Sequence, residues 1–335
     1  MNVLVTGAGG YIGSVLVPKL LNNGHRVRAI DCFFFGRDKL IEHPNLEIIQ
    51  EDTRKIQKQH LKGMNAVIDL VAISNDPSGE MFAEATYSIN YESRVKTAQL
   101  AKEAGVERYI LPSSCSIYGF HQENVIVNES SNINPLTNYA KANRLAEEGV
   151  LSLVDEEFSV IVLRQATIYG VSSRMRFDLA VNAMVYQVWK NNKLPLMRDG
   201  SQWRPFLHIE DTTDCMIHML KVDSQKVSGA IFNVGSNFEN YQIGELASMI
   251  RDVVNPSSEI EWYGDPDQRS YRVNFSKVTE VTGWETKRTV KSGAAEILTA
   301  LQNRQIDRTE DTITLDWYKQ LEKHNQFLGA QTVIK

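Results

Sequence analysis

The strongest constraint on the fold is a glycine-rich turn near the N-terminus. Asn2–Thr6 (NVLVT) is an apolar strand that runs directly into Thr6-Gly7-Ala8-Gly9-Gly10-Tyr11-Ile12-Gly13. Gly7, Gly10 and Gly13 are spaced G-x-x-G-x-x-G, and a helical pattern, Tyr11–Asn23, follows and stops at Gly24. A strand, a glycine turn and a helix in that order bring backbone amides and a helix N-terminus to one point. A pyrophosphate can approach that point only where side chains are missing. Gly13 lets the helix pack against the strand. Asp31 closes the next strand, Arg26–Asp31, 18 residues after Gly13. A carboxylate there accepts both hydroxyls of an adenosine ribose and repels a 2′-phosphate, so NAD(H) is expected over NADP(H). A glycine turn alone fits many sequences; its placement before a helix, with the acid in position, makes this one specific.

The first half of the chain continues to alternate. Leu46–Glu51, Ala66–Ala72, Arg108–Leu111 and Ser159–Leu163 read as strands, and Met81–Ala104 and Asn138–Val154 as long helices. Strands that are continuous apolar runs between helices predict a parallel sheet covered on both faces. Right-handed crossovers then give an α/β, doubly wound Rossmann sheet. After about Gly170 the pattern changes to helical Leu179–Asn191, a Gly/Pro-punctuated stretch at Leu194–Pro205, and Phe206–Ile209. Ala230–Val234 reads as a buried strand able to rejoin the first sheet. The expected organisation is a cofactor-binding domain over 1–170, with a returning segment near 206–235, and a smaller interleaved C-terminal lobe in 171–335.

Composition excludes several classes. Lys and Arg number 36 against 41 Asp and Glu, a net charge of −5 too evenly mixed for a nucleic-acid surface. No apolar run approaches the ~18 residues of a membrane span. The chain opens on a strand, with no room expected for a signal peptide. Cys32, Cys115 and Cys215 are too few and scattered for a disulfide framework, and seven scattered histidines lack metal-ligand spacing. A cytoplasmic protein without metal is expected.

A second constellation follows the Arg108–Leu111 strand. Leu111-Pro112-Ser113-Ser114-Cys115-Ser116-Ile117-Tyr118-Gly119 places hydroxyls at the carboxyl edge of the sheet, where ligands bind. Tyr139, 25 residues beyond Ser114, begins a helix. A tyrosine beside a nicotinamide and a hydroxyl donor is a general base if its pKa of ~10 is lowered. Either motif alone reads as ordinary loop hydroxyls or a packed aromatic. Their combination with the nucleotide turn carries the reading.

These motifs resemble the extended short-chain dehydrogenase/reductases of the NAD-dependent epimerase/dehydratase family, which act on nucleotide sugars. The likeness covers nearly the whole chain. Besides the glycine turn it includes Ser88-Ile89-Asn90-Tyr91, Leu163-Arg164 with Tyr169-Gly170, and Gly200-Ser201-Gln202-Trp203-Arg204-Pro205-Phe206-Leu207-His208-Ile209-Glu210-Asp211. Asn233-Val234-Gly235 and Arg269 with Ser276-Lys277 complete it. The resemblance implies Ser114 and Tyr139 as catalytic residues. It further implies cofactor contacts from Tyr11, Ile12, Thr53, Ala72 and Asn90, an adenine-edge contact from Asp52, and a substrate-diphosphate clamp of Arg204 and Arg269.

Three departures from the family pattern matter. Tyr-x-x-x-Lys here reads Tyr139-Ala140-Lys141-Ala142-Asn143, with Glu147 keeping register one turn later. Asn143 can bond the nicotinamide ribose but brings no charge. Lys141 lies about 200° around the helix from Tyr139. The expectation is therefore activity rising into the alkaline range, moved toward neutrality by Asn143→Lys, unless another cation, Lys141 or Arg174, compensates. Cys115-Ser116 stands where the dehydratases carry Asp-Glu, which disfavours 4,6-dehydration. Finally, Arg164-Gln165-Ala166-Thr167 replaces Arg-Tyr-Phe-Asn, while Arg174 and Arg176 add two cations near where a sugar or diphosphate should lie.

The resulting expectation is an NAD-dependent epimerase or dehydrogenase that oxidises a nucleotide-sugar hydroxyl, at C4. Base and sugar are not legible. The alternative is a nucleotide-binding scaffold or regulator that lost turnover with the lysine. A homodimer is expected by family likeness, through a seam of Met81–Ala104 and Asn138–Val154 with Leu145, Val150 and Leu153 on its apolar face.

Overall fold

The computed structural model describes residues 1–122, 125–265 and 269–324. Seven parallel strands form the main sheet: β1 (Asn2–Thr6), β2 (Arg26–Asp31), β3 (Leu46–Gln50), β4 (Ala66–Asp69), β5 (Arg108–Ser114), β6 (Ser159–Gln165) and β7 (Ala230–Val234). Their order across the sheet is β7-β6-β5-β4-β1-β2-β3. The chain leaves β1 toward β2 and β3, then returns to its other side at β4. This reversal opens a crevice at the carboxyl end of β1, the usual ligand position in such sheets. The doubly wound parallel sheet read from the sequence is the observed fold.

The strands are apolar throughout because both faces are covered. In β1, Val3 and Val5 pack into one core with Leu16 and Leu20 of α1 (Gly13–Asn22). Leu4 points the other way, into a core with Ala98 and Ala101 of α2 (Arg94–Glu103) and Ala146 and Val150 of α3 (Asn138–Leu151). Each fully buried Val or Leu contributes ~1.5–3 kcal/mol. Val150 is thus spent inside the chain, and Leu153 packs against the same core. Of the residues expected at a partner face, Val150 is committed to the chain's own core, while Leu145 and Leu153 are only partly buried.

The second lobe is threaded through the first. Thr167–Tyr169, Trp203–His208 and Asn240–Gln242 make a three-stranded sheet, while β7 returns to pair with β6. Helices Ala180–Asn191, Ile243–Val254 and Val290–Gln302 enclose this lobe's own core of Val181, Val185, Leu246, Ile250, Ala294 and Ile297. The Gly/Pro-punctuated stretch at Leu194–Pro205 holds most of a strand, Lys193–Met197, paired in parallel with Glu259–Tyr263. Pro195 is tolerated on this two-stranded edge, where a missing N–H breaks no central ladder.

The helix expected over Met81–Ala104 is broken. Asp76–Met81 ends at Phe82, whose backbone (φ −118°, ψ 53°) is not helical; Ala83–Tyr87 then leads through a π-helical turn, Ser88–Ser93, into α2. Periodicity alone does not register a π turn, which shifts side-chain phase by a fraction of a residue. Its consequence is that Arg94 faces the sheet. No helix among the described residues is long and apolar enough to cross a membrane, and none of their His, Cys, Asp and Glu side chains cluster as a metal site.

Candidate active site

The crevice is a cavity of about 770 Å³ lying between the sheet's carboxyl edge and the second lobe. Strand register places Thr6, Asp31, Asp69, Ser114 and Gln165 at that edge. The glycine turn forms one wall. Gly7 holds φ +62°, and a Cβ there would lie 2.8 Å from the Leu70 carbonyl carbon and the Val71 nitrogen. A Cβ on Gly13 would lie 2.5 Å from the carbonyl oxygens of Gly7 and Ala8. The turn therefore has no room for side chains, and α1 begins directly behind it, as a pyrophosphate site requires.

Asp31 completes that wall. Its carboxylate accepts the amides of Gly9 at 2.9 Å and Phe33 at 2.6 Å. Burial pushes its pKa above the ordinary carboxylate value, with those two amides and Arg174 pulling the other way. Arg174 lies over the Phe35 ring, 3.6 Å from its centre, and donates to the Thr314 hydroxyl at 3.0 Å. Burial pushes Arg174 down to about 10. Arg174 thus lies beside Asp31 on the cavity wall that also carries Arg176. Asp31→Asn should weaken NAD binding about tenfold or more, the equivalent of a 1–3 kcal/mol charged hydrogen bond, and narrow the preference over NADP. Titration with the two cofactors measures both, and unchanged NAD affinity would remove the ribose assignment.

Other expected cofactor residues divide. Tyr11, Ile12, Asp52, Thr53 and Ala72 line the cavity. Both oxygens of Asp52 are taken by Arg54, at 2.6 to 3.1 Å, so any adenine contact there is shared with Arg54. Asn90 does not line the cavity. Fully buried, it accepts from the Ile73 amide at 2.8 Å and donates to the Ile73 carbonyl at 2.9 Å, clamping the loop after β4.

The catalytic candidates meet at the centre. Thr137 caps α3 by accepting from the Ala140 amide at 3.2 Å and donates to Asp76 at 2.6 Å, fixing the helix's first turn. Tyr139 sits in that turn, and it and Ser114 both line the cavity, with the Ser114 hydroxyl accepting from the Ser116 amide at 3.1 Å. Burial pushes the Tyr139 pKa above its ordinary value and Asp76 adds to this; Arg94, the neighbouring Ser114 hydroxyl and Arg176 oppose it. Asn143 donates to the Tyr139 carbonyl at 3.0 Å and accepts from Arg94 Nη1 at 3.0 Å. Lys141 is exposed on the opposite side of α3. The cation bonded to Asn143 is Arg94, a residue not singled out in the sequence, and Arg94 and Arg176 both act on Tyr139. Glu147 holds Ser113 at 2.5 Å and Arg164 at 2.8 Å in a buried network under this wall.

Two further arginines come together. Arg204 Nη1 donates to the Arg269 carbonyl, and Arg269 pairs with Asp76, which also accepts from Thr137 at the start of α3. Arg176 is buried, paired with Asp178 at 2.8 Å and donating to the Ser74 hydroxyl at 3.0 Å. Cys115 is buried, its thiol pushed up by burial, whereas Ser116 lines the cavity.

A glycine-walled dinucleotide cradle opening onto a Ser–Tyr hydroxyl pair defines a short-chain dehydrogenase-type nucleotide enzyme. Residues 3–235 match the model of the NAD dependent epimerase/dehydratase family, and the chain belongs to that family. UDP-glucuronic acid decarboxylase 1 of Arabidopsis thaliana is 26% identical over 325 residues, covering 92% of this chain and 72% of that protein. The structure of MoeE5 in complex with UDP-glucuronic acid and NAD is 25% identical, with a TM-score of 0.81 over 91% of this chain and 100% of that one. A UDP-glucuronic acid 4-epimerase from Bacillus cereus, 22% identical, shares the fold with a TM-score of 0.81 over 91% of this chain and 100% of that one. The family is NAD-dependent and modifies nucleotide sugars.

Proposed function

We propose that the protein oxidises the C4 hydroxyl of a nucleoside-diphosphate sugar, with UDP-sugars first among the candidates. The observation carrying this reading is a single cavity joining the glycine cradle, the Ser114–Tyr139 pair and the Arg204–Arg269 pair. Bound NAD supplies the hydride acceptor. The cradle of Gly7, Gly10 and Gly13 would hold its pyrophosphate and Asp31 its adenosine ribose. Ser114 orients the sugar hydroxyl, Tyr139 takes its proton, and Asn143 holds the helix turn that carries the base. Arg204 and Arg269 receive the diphosphate, Arg269 exchanging its Asp76 partner for phosphate. Arg176, beside the base, faces the sugar.

C4 oxidation is the shared first step of several outcomes. Return of the hydride to the other face gives the 4-epimer; release gives a keto sugar. With a uronic acid, the 4-keto group makes the C6 carboxylate a β-keto acid, which can lose carbon dioxide. Cys115 and Ser116 offer no carboxyl pair for removing water across C5 and C6, so 4,6-dehydration is disfavoured. The test is incubation of NAD-loaded protein with UDP-, GDP-, CDP- and dTDP-sugars, reading the NADH band, the product mass and, for isobaric epimers, the chromatographic separation of the C4 isomers. Reduction or a C4-altered product with at least one sugar is expected; neither with any of them sinks the proposal. Arg204→Ala and Arg269→Ala should each weaken UDP binding about 10–100-fold, as loss of a charge-assisted bond to phosphate implies. Calorimetry with UDP alone measures this without turnover. A homodimer in the cytoplasm completes the proposal on family likeness, and a strictly monomeric mass at micromolar concentration would remove the dimer.

A further inference from the structure

Asn143 is neutral, so the charge that stabilises a Tyr139 phenolate must come from elsewhere in the chain. We propose that Arg94 is a positioning residue of the hydride-transfer site, anchored on Asp69, that fixes Asn143 and presents a permanent cation to the base. The proposal rests on the reading of Tyr139 as general base.

The geometry is specific. Arg94 is the first residue of α2 and is 1% exposed. Its Nη2 donates to the carbonyls of Asp69 at 2.7 Å and Pro112 at 2.6 Å, at the ends of β4 and β5. Its Nη1 donates to Asn143, which in turn donates to the Tyr139 carbonyl. Arg94 Nε faces the Asp69 carboxylate at 3.6 Å. That carboxylate is itself pinned, accepting the hydroxyls of Thr6 and Tyr109. Every element around the guanidinium thus holds it still, and Arg94 also lines the cavity.

A guanidinium keeps its proton at all working pH values, and its planar fork serves several fixed acceptors at once. In a desolvated wall its field is weakly screened. The groups facing Tyr139 are few. Asp76 opposes a phenolate but is paired with Arg269; Arg176 favours it but is paired with Asp178. Behind Arg94 stand Asp69 and Tyr109, on the strand side. Asn143→Lys alone, expected from the sequence to help, would set an ammonium against this guanidinium and should cost stability instead.

The test reads Tyr139 directly. The tyrosinate band of NAD-loaded protein is titrated with pH, each variant against its own Tyr139→Phe counterpart, so no substrate is needed. Arg94→Met should move the Tyr139 midpoint to higher pH, while Arg94→Lys should stay close to wild type. Because Arg94→Met leaves Asp69 buried without a counter-ion, Asp69→Asn/Arg94→Met is measured beside it, with melting curves to establish folding. Single-turnover NAD reduction at pH 7 should fall about tenfold or more in the Met variants, as loss of a nearby opposite charge implies, and recover as pH is raised. A lower melting temperature with an unmoved midpoint overturns the proposal. A moved midpoint with no nucleotide sugar turned over supports Arg94 and overturns the functional reading instead.

Discussion

Tyr139→Phe should lower NAD reduction by the sugar substrate about 10²–10⁴-fold, the range of a lost general base, while leaving fold and NAD affinity intact. The substitution removes one hydroxyl and keeps the ring. The base of the side chain is already close-packed, the Tyr139 Cβ lying 3.1 Å from where a Cβ on Gly79 would stand, in the helix that crosses it. The hydroxyl matters to chemistry, because Tyr139 lines the cavity with Ser114 and its oxygen is the proposed acceptor of the sugar proton. Ser114→Ala should cost less, since it removes orientation and one hydrogen bond to the phenolate but leaves the base. Stopped-flow absorbance at the NADH band separates the two. Full activity in Tyr139→Phe would end the mechanism, whatever its effect on stability.

The pH dependence has a definite sign. The base works deprotonated, so the rate rises with pH through the Tyr139 pKa. Burial and Asp76 push that pKa above its ordinary value in the protein alone. Arg94, Arg176 and the positive charge of the oxidised nicotinamide ring push it down, so activity should reach lower pH in the cofactor-loaded protein than the protein alone would allow.

What the sequence revealed depended on how local its signals were. The glycine turn, Asp31, Ser114 and Tyr139 each lie within a few residues of a strand end or helix start, so order along the chain was enough to place them. Arg94 was different. In Ser93-Arg94-Val95-Lys96 it reads as one more charge on a helix surface, and only the π turn before it and the packing of α2 on β4 bury it. A signal was nevertheless present in Ala66-Val67-Ile68-Asp69-Leu70, where a carboxylate interrupts an apolar strand. A buried carboxylate needs a partner, and the missing lysine and the unexplained aspartate belong to one network. The placing of Arg174 was illegible for a similar reason, since its neighbours Phe35 and Thr314 come from distant parts of the chain. The strand at Lys193–Met197 was obscured by Pro195, a residue that argues against a central strand but not against an edge.

Gly13→Ala should abolish useful NAD binding while only moderately destabilising the fold. The added Cβ would stand 2.5 Å from two carbonyl oxygens, Gly7 and Ala8. Both are backbone atoms of the turn itself, so no side chain can swing aside to make room. Either α1 lifts from β1 or the turn opens. Lifting α1 strains the packing of Leu16 and Leu20 against Val3 and Val5, an overpacking cost of ~1–3 kcal/mol. Opening the turn breaks the Gly10 amide bond to the Gly7 carbonyl, 3.1 Å long, and displaces the amides that would face the pyrophosphate. Losing even one amide hydrogen bond to a charged pyrophosphate costs about 1.5–3 kcal/mol, so NAD affinity should fall about 10–100-fold or more. Gly24→Ala is the matched control. Gly24 holds φ +78° at the other end of α1, and a Cβ there meets nothing within 4 Å. It should therefore lose only the ~1–2 kcal/mol of left-handed backbone strain and bind NAD like wild type. Calorimetric NAD titration together with thermal melting distinguishes the two positions. Equal NAD affinity in Gly13→Ala and Gly24→Ala would mean that the cofactor does not lie on this turn.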